Sequence, residues 1–373
     1  MITLALAQIL LFMYAMLIVW YGQLWRNLRN WVRPEHYSPS TPISVIIPAR
    51  NEEKNIRACL DSIISQQYPS HLLEIIVVDD AGTDSTADIV SSFNHPCLKL
   101  IRLSEEKGQA KKRAIAEGIS ASSGKLIVTT DADCICGPRW LLTIASFYEE
   151  KRPACIAAPV VLHNKPSLLA IFQSLDFMSL QGVTAVSVAH GILNMANGAN
   201  FAYERSAYEE VNGFAGISHL ASGDDMLLMQ KIAKQYPGRV SYCLSGDVLV
   251  STQPAASLSE FFRQRIRWAS KARFYQERTV FYVLLLVYLM NISLMALVIH
   301  AFFEHILFWW WGVLIVFKFM TEMFFMYPVV TFFKRRNLLW FFLPAQPFHI
   351  IYTVIAGLFG QAGTYTWKGR TLR

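Results

Sequence analysis

Residues 43–80 read ISVIIPARNEEKNIRACLDSIISQQYPSHLLEIIVVDD. Two unbroken apolar runs, ISVIIP (43–48) and LEIIVVDD (73–80), bracket the amphipathic stretch NEEKNIRACLDSIISQQ (51–67). A strand with one face in water alternates polar and apolar residues, whereas a continuous Val/Ile run needs cover on both faces; alternating with helices, such runs mark a parallel sheet in an α/β domain. The pattern continues outward through DSTADIVSSF (84–93), LKLIRL (98–103), GQAKKRAIAEGISASS (108–123) and KLIVTTDADC (125–134). Ligands of open α/β sheets sit beyond the carboxyl ends of the strands. Here those ends carry Asp79 and Asp80, then Asp131 and Asp133. Neither G-x-G-x-x-G nor G-x-x-x-x-G-K-[ST] occurs, which argues against dinucleotide oxidoreductases and P-loop enzymes. Phosphate must be held by another device.

The chain has 373 residues, of which 53% are hydrophobic and 16% charged, against a usual charged share of about 25%. That excludes a disordered chain and argues against a wholly soluble one. The apolar excess is concentrated in residues 2–21, 280–303, 306–330 and 338–360, long enough for one N-terminal and about three C-terminal transmembrane helices. The first lacks a basic n-region and is followed by Arg26, Arg29 and Arg33, so it is expected to be an uncleaved anchor with residues 22–279 in the cytoplasm. Lys334, Arg335 and Arg336 return the chain to that side. Pro344 and Pro347 interrupt the last segment, for which a crossing is expected and an interfacial piece is the alternative. The expected order is an anchor (2–21), a cytoplasmic domain (43–255), interfacial helices (256–279), membrane segments (280–360) and a basic tail (361–373).

The net charge of +7, from 34 Lys and Arg against 27 Asp and Glu, is placed beside the apolar runs. Arg263, Arg265, Arg267, Lys271 and Arg273 precede the second run, a pattern that fits anionic lipid rather than nucleic acid. Lys318 and Glu322, four apart inside an apolar segment, are expected to pair. Cys59, Cys97, Cys134, Cys136, Cys155 and Cys243 have no zinc-site or disulfide-scaffold spacing and are expected to be free thiols.

Three motifs carry chemistry. Asp131-Ala132-Asp133, on a strand end, sends both carboxylates to one side, and clustered hard oxygens suit magnesium or manganese bridging to a diphosphate; solvated loop carboxylates are the competing reading. Asp224 and Asp225 stand before an amphipathic helix, where one can cap it and the other act as general base. Gln264, Arg267 and Trp268 share a helix face in QRIRW, offering a guanidinium to a departing diphosphate and an indole wall; a basic helix lying on headgroups competes.

SVIIPARNEE, IIVVDDAGTDST, VTTDADC, NGANFAYERSAYEEVNGF, SGDD and QRIRW, in this order over residues 43–275, resemble the membrane-bound family 2 glycosyltransferases of GT-A (Rossmann-like) fold. The layout is similar to that of ceramide glucosyltransferase and its bacterial relatives. The resemblance implies that Asp80 contacts the nucleobase and that Pro48, Arg50 and Glu52 line the nucleotide pocket. Asp131 and Asp133 would hold a divalent ion, Mg2+ or Mn2+, and the donor diphosphate. Asp225 would be the base, with Asp224 replacing the usual glutamate. Gln264, Arg267 and Trp268 would close over diphosphate and acceptor. Lys107 and Lys111 are candidate phosphate holders, and Asn197, Gly198 and Asn200 match the acceptor-side loop. Cys134 stands where some polysaccharide synthases carry a histidine ligand.

The expected activity is therefore inverting transfer from a nucleotide-sugar, a UDP-sugar foremost, to a lipid or lipid-linked hydroxyl at the cytoplasmic membrane face. A processive synthase, a polyprenyl-phosphate glycosyltransferase and a non-catalytic membrane scaffold are the alternatives. The expectation requires the acidic groups and the indole-guanidinium pair to meet in one cavity.

Overall fold

The structure is a computed structural model and describes residues 2–104, 110–217, 223–270, 278–360, 365–367 and 370–372. Its elements are, in order, α1 (Ile2–Asn27), β1 (Ile43–Ala49), α2 (Ile56–Ile64), β2 (Leu73–Asp80), α3 (Thr86–Ser91), β3 (Leu98–Leu103), α4 (Ala110–Ser120), β4 (Leu126–Thr129), β5 (Ile135–Cys136), α5 (Trp140–Lys151), β6 (Cys155–Ala157) and β7 (Val160–Leu162). There follow α6 (Leu168–Ala189), β8 (Phe201–Glu204), α7 (Arg205–Glu210), α8 (Met226–Gln235), β9 (Val240–Tyr242), β10 (Val250–Thr252), α9 (Leu258–Ser270), α10 (Arg278–Ala301), α11 (Ile306–Phe332) and α12 (Gln346–Gly360). They form two compact units. One comprises Met1–Leu28, Asn164–Val186 and Pro254–Tyr365; the other comprises Arg29–His163, Ser187–Gln253 and Thr366–Arg373.

The sheet unit is built on seven strands in the order β3-β2-β1-β4-β8-β6-β9. β3, β2, β1 and β4 run parallel, with Ala49 opposite Asp79 and Ile46 opposite Thr129. Val45, Ile46, Ile47 and Ile75 to Val78 are fully buried, each such side chain contributing about 1.5–3 kcal/mol relative to exposure. The expectation of a parallel sheet holds for these four strands and is corrected beyond them. β8 runs antiparallel to both β4 and β6, a direction that the sequence of a short run covered on both faces does not reveal. A second sheet has the order β5-β10-β7.

The helical unit contains helices long and apolar enough to cross a membrane: α1, α6, α10 and α11. α6 was not among the expected spans. Its apolar window is 72% buried, against 28–50% for the other three. The segment 338–360 also departs from a continuous span, being a 3-10 turn (Arg336–Phe341) followed by the 15-residue α12. At 1.5 Å per residue α12 reaches about 22 Å, short of the ~30 Å hydrocarbon core. Pro347 sits in its first turn, where a missing N–H costs nothing.

α11 carries Pro328 in its interior, so the Phe324 carbonyl has no helical donor. Arg26 of α1 supplies one: its Nη2 donates to Phe324 O at 2.9 Å, and its guanidinium lies 3.7 Å from the Phe324 ring centre. Lys318 and Glu322 pair at 2.6 Å. Tyr14 donates to Glu322 Oε1 at 2.6 Å, Gln346 Nε2 donates to Glu322 Oε2 at 2.6 Å, and Lys318 also bonds Gln346 Oε1. The network closes on itself, as buried charge requires.

Candidate active site

The carboxyl ends of β2, β1 and β4 lie side by side in the sheet unit. Two loops leave them through left-handed residues, Asn51 (φ 53°) after β1 and Ala81 (φ 50°) after β2. The loops are knitted together: Thr83 N donates to Asn51 Oδ1 at 2.8 Å, Glu53 N to Asp84 Oδ2 at 3.0 Å, and Glu52 N to Thr86 Oγ1 at 2.7 Å. Arg50, buried, donates to the Asp80 carbonyl at 2.5 Å and stands 4.0 Å from its carboxylate. Pro48 is the sixth residue of β1 and half-buried. Arg50, Glu52 and Asp80 are thus brought to one edge. Asp79 instead turns back on its own loop, accepting from Gly82 N at 3.2 Å, and burial raises its carboxyl above the ordinary range.

β4 ends at Thr129, so the strand-alternation argument for Asp131 and Asp133 is corrected. Both lie in the turn after the strand, which is closed by Cys134 N donating to Asp131 O at 3.1 Å. The turn still brings them together: ligand atoms of Asp131, Asp133 and Cys134 lie within 4.8 Å of one another. Thr252 Oγ1 of β10 donates to Asp133 Oδ2 at 3.1 Å, a contact the sequence did not signal. Two hard carboxylates fit magnesium or manganese. The Cys134 thiol is pushed well above its ordinary range by burial, then by the charges of Asp133 and Asp131; soft sulfur is in any case a poor ligand to a hard ion. All six cysteines are free.

Lys111 of α4 joins the two acidic motifs. Its Nζ lies 2.6 Å from Asp131 Oδ1 and 3.2 Å from Asp224 Oδ2. Burial lowers the Lys111 pKa, but the charges of Asp131 and then Asp224 more than offset it and hold the ammonium above the ordinary lysine range. Lys107 lies outside the described residues.

Asp225 is the N-cap of α8: Oδ1 accepts from Met226 N at 2.7 Å and Oδ2 from Gly198 N at 2.9 Å. Each carboxylate oxygen has two lone pairs, so acceptor capacity for a substrate hydroxyl is left. A Cβ on Gly198 would lie 3.2 Å from Asp224 Oδ2 and 3.3 Å from Lys111 Nζ; this glycine lets backbone approach the charged cluster. Asn197 accepts from Ala199 N at 3.1 Å. Asn200 is corrected as an acceptor contact. It is 0% exposed, donates to Pro159 O (2.8 Å) and Val248 O (2.7 Å), and accepts from Trp140 Nε1 (2.9 Å). Its side chain holds the core under the loop.

Gln264, Arg267 and Trp268 belong to α9, in the helical unit. Its buried residues are Phe261, Arg265 and Ser270, with Trp268 half-buried. Arg265 is therefore corrected as a headgroup contact: it is 5% exposed and ion-paired to Asp176 of α6 at 2.6 Å. Trp268 lies against Phe177, ring centres 6.1 Å apart. Lys271 and Arg273 lie outside the described residues.

A parallel half-sheet whose strand ends gather four aspartates and a lysine is the arrangement of a GT-A domain, and residues 44–211 match the profile "Glycosyl transferase family 2". Over those residues the chain is similar to the family 2 glycosyltransferases. It is 28% identical over 257 residues to "Probable glycosyltransferase YdaM" of Bacillus subtilis, covering 65% of this chain and 58% of that one. It is 25% identical over 252 residues to "Poly-beta-1,6-N-acetyl-D-glucosamine synthase" of Staphylococcus epidermidis, covering 64% and 56%. The chain thus spans less than two thirds of the length of these relatives. The structure of a mannosyltransferase from Pyrobaculum calidifontis, "PcManGT … in complex with GDP-Man and Mn2+", shares the fold with TM-score 0.62 at 20% identity, covering 95% of this chain and 99% of that one.

Proposed function

We propose that the protein transfers a sugar, with inversion, from a nucleotide-sugar to a lipid or lipid-linked hydroxyl at the cytoplasmic face of a membrane. The observation that carries this reading is the gathering of Asp131, Lys111, Asp224, Gly198 and Asp225 in the sheet unit that also holds the Asp80–Arg50 pair at the ends of β2 and β1. The apolar helices support the membrane, and a UDP-sugar is the expected donor.

Asp80, Arg50, Glu52 and Pro48 bind the nucleotide. Asp131 and Asp133 are the residues that would hold Mg2+ or Mn2+, which when bound neutralises charge on the donor diphosphate. Lys111 adds a fixed positive charge beside Asp131, the electrostatic aid such leaving groups need. Asp225 takes the acceptor proton as the hydroxyl oxygen attacks the anomeric carbon, a role worth about 10² to 10⁴-fold. Its two backbone N–H bonds fix the carboxylate for this. Asn197, Gly198 and Asp224 border the acceptor. From their motif, Gln264, Arg267 and Trp268 close the site over diphosphate and acceptor.

Asp225→Asn tests the base. Asn keeps the one acceptor oxygen that caps α8 but cannot accept from Gly198 N with its amide nitrogen, so the helix and donor binding should survive while turnover falls more than about tenfold; a smaller fall refutes the assignment. Similarity to the synthase favours a second reading, processive polymerisation. Mass spectrometry of lipid extracts after incubation with a panel of nucleotide-sugars separates them: one added sugar supports the first, a ladder the second.

A further inference from the structure

Arg265 stands between the letters of the Q-x-x-R-W motif and belongs to none of them, yet it is the most buried residue of QRIRW. Its Nη2 meets Asp176 Oδ2 at 2.6 Å, with both side chains almost wholly inaccessible (4% and 2%). Tyr352 of α12 donates to the other oxygen, Asp176 Oδ1. The guanidinium lies between two rings of its own helix, 4.9 Å from the centre of Phe261 and 4.2 Å from that of Trp268. Its Nη1 donates to Gln264 Oε1 at 3.3 Å. One side chain thus touches two of the three motif residues and ties them to α6 and α12.

Burying an ion pair rarely adds net stability, because desolvation offsets the Coulomb gain and an apolar replacement of equal volume is commonly neutral or better. The neighbourhood of α9 is already rich in such material: Phe172, Phe261, Phe348, Tyr352 and Ala356 pack together there. What a charged clamp supplies, and a hydrocarbon contact does not, is one rotation of α9 and one orientation of the Gln264 amide and the Trp268 ring. We propose that Arg265, held by Asp176 and Tyr352, is a positioning residue for transfer: it presets Gln264 and Trp268 for the acceptor and the departing diphosphate. The inference rests on the reading of Q-x-x-R-W given above.

The test removes all three polar groups together, so that no orphaned charge remains. Full-length Asp176→Leu/Arg265→Met/Tyr352→Phe in detergent is compared with wild type and with Arg267→Ala for thermal midpoint, kcat and KM. The triple variant should melt within about 5 °C of wild type, as expected when a buried pair is exchanged for apolar packing. Its kcat should fall at least about tenfold, with donor KM changed less than about threefold, the pattern of an interaction used in the transition state. Arg265→Lys keeps charge but not the planar fork, and its kcat should lie between the two. A folded triple variant with kcat within about twofold of wild type overturns the proposal. If the triple variant does not fold, Arg265→Lys decides: turnover per folded molecule equal to wild type overturns the proposal, and a loss supports it. Arg267→Ala separates the two levels. Its full activity would show the motif reading to be wrong, whereas its inactivity beside an active triple variant would show that only the positioning role fails.

Discussion

Gly198 donates its backbone N–H to Asp225 Oδ2 at 2.9 Å, so the loop entering β8 is fastened to the cap of α8 through the proposed base itself. The absent side chain leaves room beside this bond for Asp224 and Lys111. Gly198→Ala places a methyl 3.2 Å from Asp224 Oδ2 and 3.3 Å from Lys111 Nζ, closer than ordinary contact. The expected result is a folded protein with turnover reduced at least about tenfold, since small misplacements of reacting groups are expensive. Paired thermal melts and initial rates check it.

Lys111 pairs with Asp131 and Asp224 at once. Lys111→Met should therefore weaken donor binding and lower the melting temperature, by leaving two carboxylates without their shared cation. Asp224→Asn should restore part of the stability lost. A double-mutant cycle on thermal or denaturant unfolding should give a coupling of about 0.5–3 kcal/mol between the two; additive effects would deny the bridge.

Asn200 saturates two carbonyls and the Trp140 indole. Asn200→Leu strands the Val248 carbonyl and the Trp140 N–H in the interior, each at about 1–3 kcal/mol, and leaves Pro159 O with the Val250 N–H alone. Thermal unfolding should show a large loss, while acceptor KM per folded molecule stays near wild type. A normal melting temperature with a raised acceptor KM would return Asn200 to the acceptor site.

Mn2+ at 100 times its dissociation constant should stabilise the protein by about 2.7 kcal/mol. Asp133→Ala should abolish that thermal shift, because it removes one of two hard ligands. Chelation with EDTA should stop turnover in wild type, and added Mn2+ or Mg2+ should restore it. A shift that persists in Asp133→Ala places the ion elsewhere.

The parallel half of the sheet was legible because Val45 to Ile47 and Ile75 to Val78 are apolar at consecutive positions, which only two-sided burial explains. The acidic clusters were legible for a related reason: carboxylates that close such runs must find partners or a ligand. The direction of β8 was not, since FAYE (201–204) carries no mark of orientation. The place of Asn200 in NGAN (197–200) matches an acceptor-side loop but says nothing of depth; its burial depends on Trp140 and Val248, both distant in sequence. The pair Asp176–Arg265 is separated by 89 positions; Asp176 alone reads as an isolated charge and Arg265 as one of a basic run. A lone aspartate inside the apolar run 168–189 was the available signal.

The chain passes between its two units five times, after Leu28, His163, Val186, Gln253 and Tyr365. α6 is therefore made long before the helices that cover it. During synthesis the aspartate at 176 leaves the ribosome in an apolar stretch while Arg265 and Tyr352 are still untranslated, so this helix must wait for the last third of the polypeptide. Cutting out residues 29–253 to obtain a soluble enzyme would make that wait permanent and leave a sticky, singly charged segment in water. A workable excision would have to replace residues 164–186 with a hydrophilic linker.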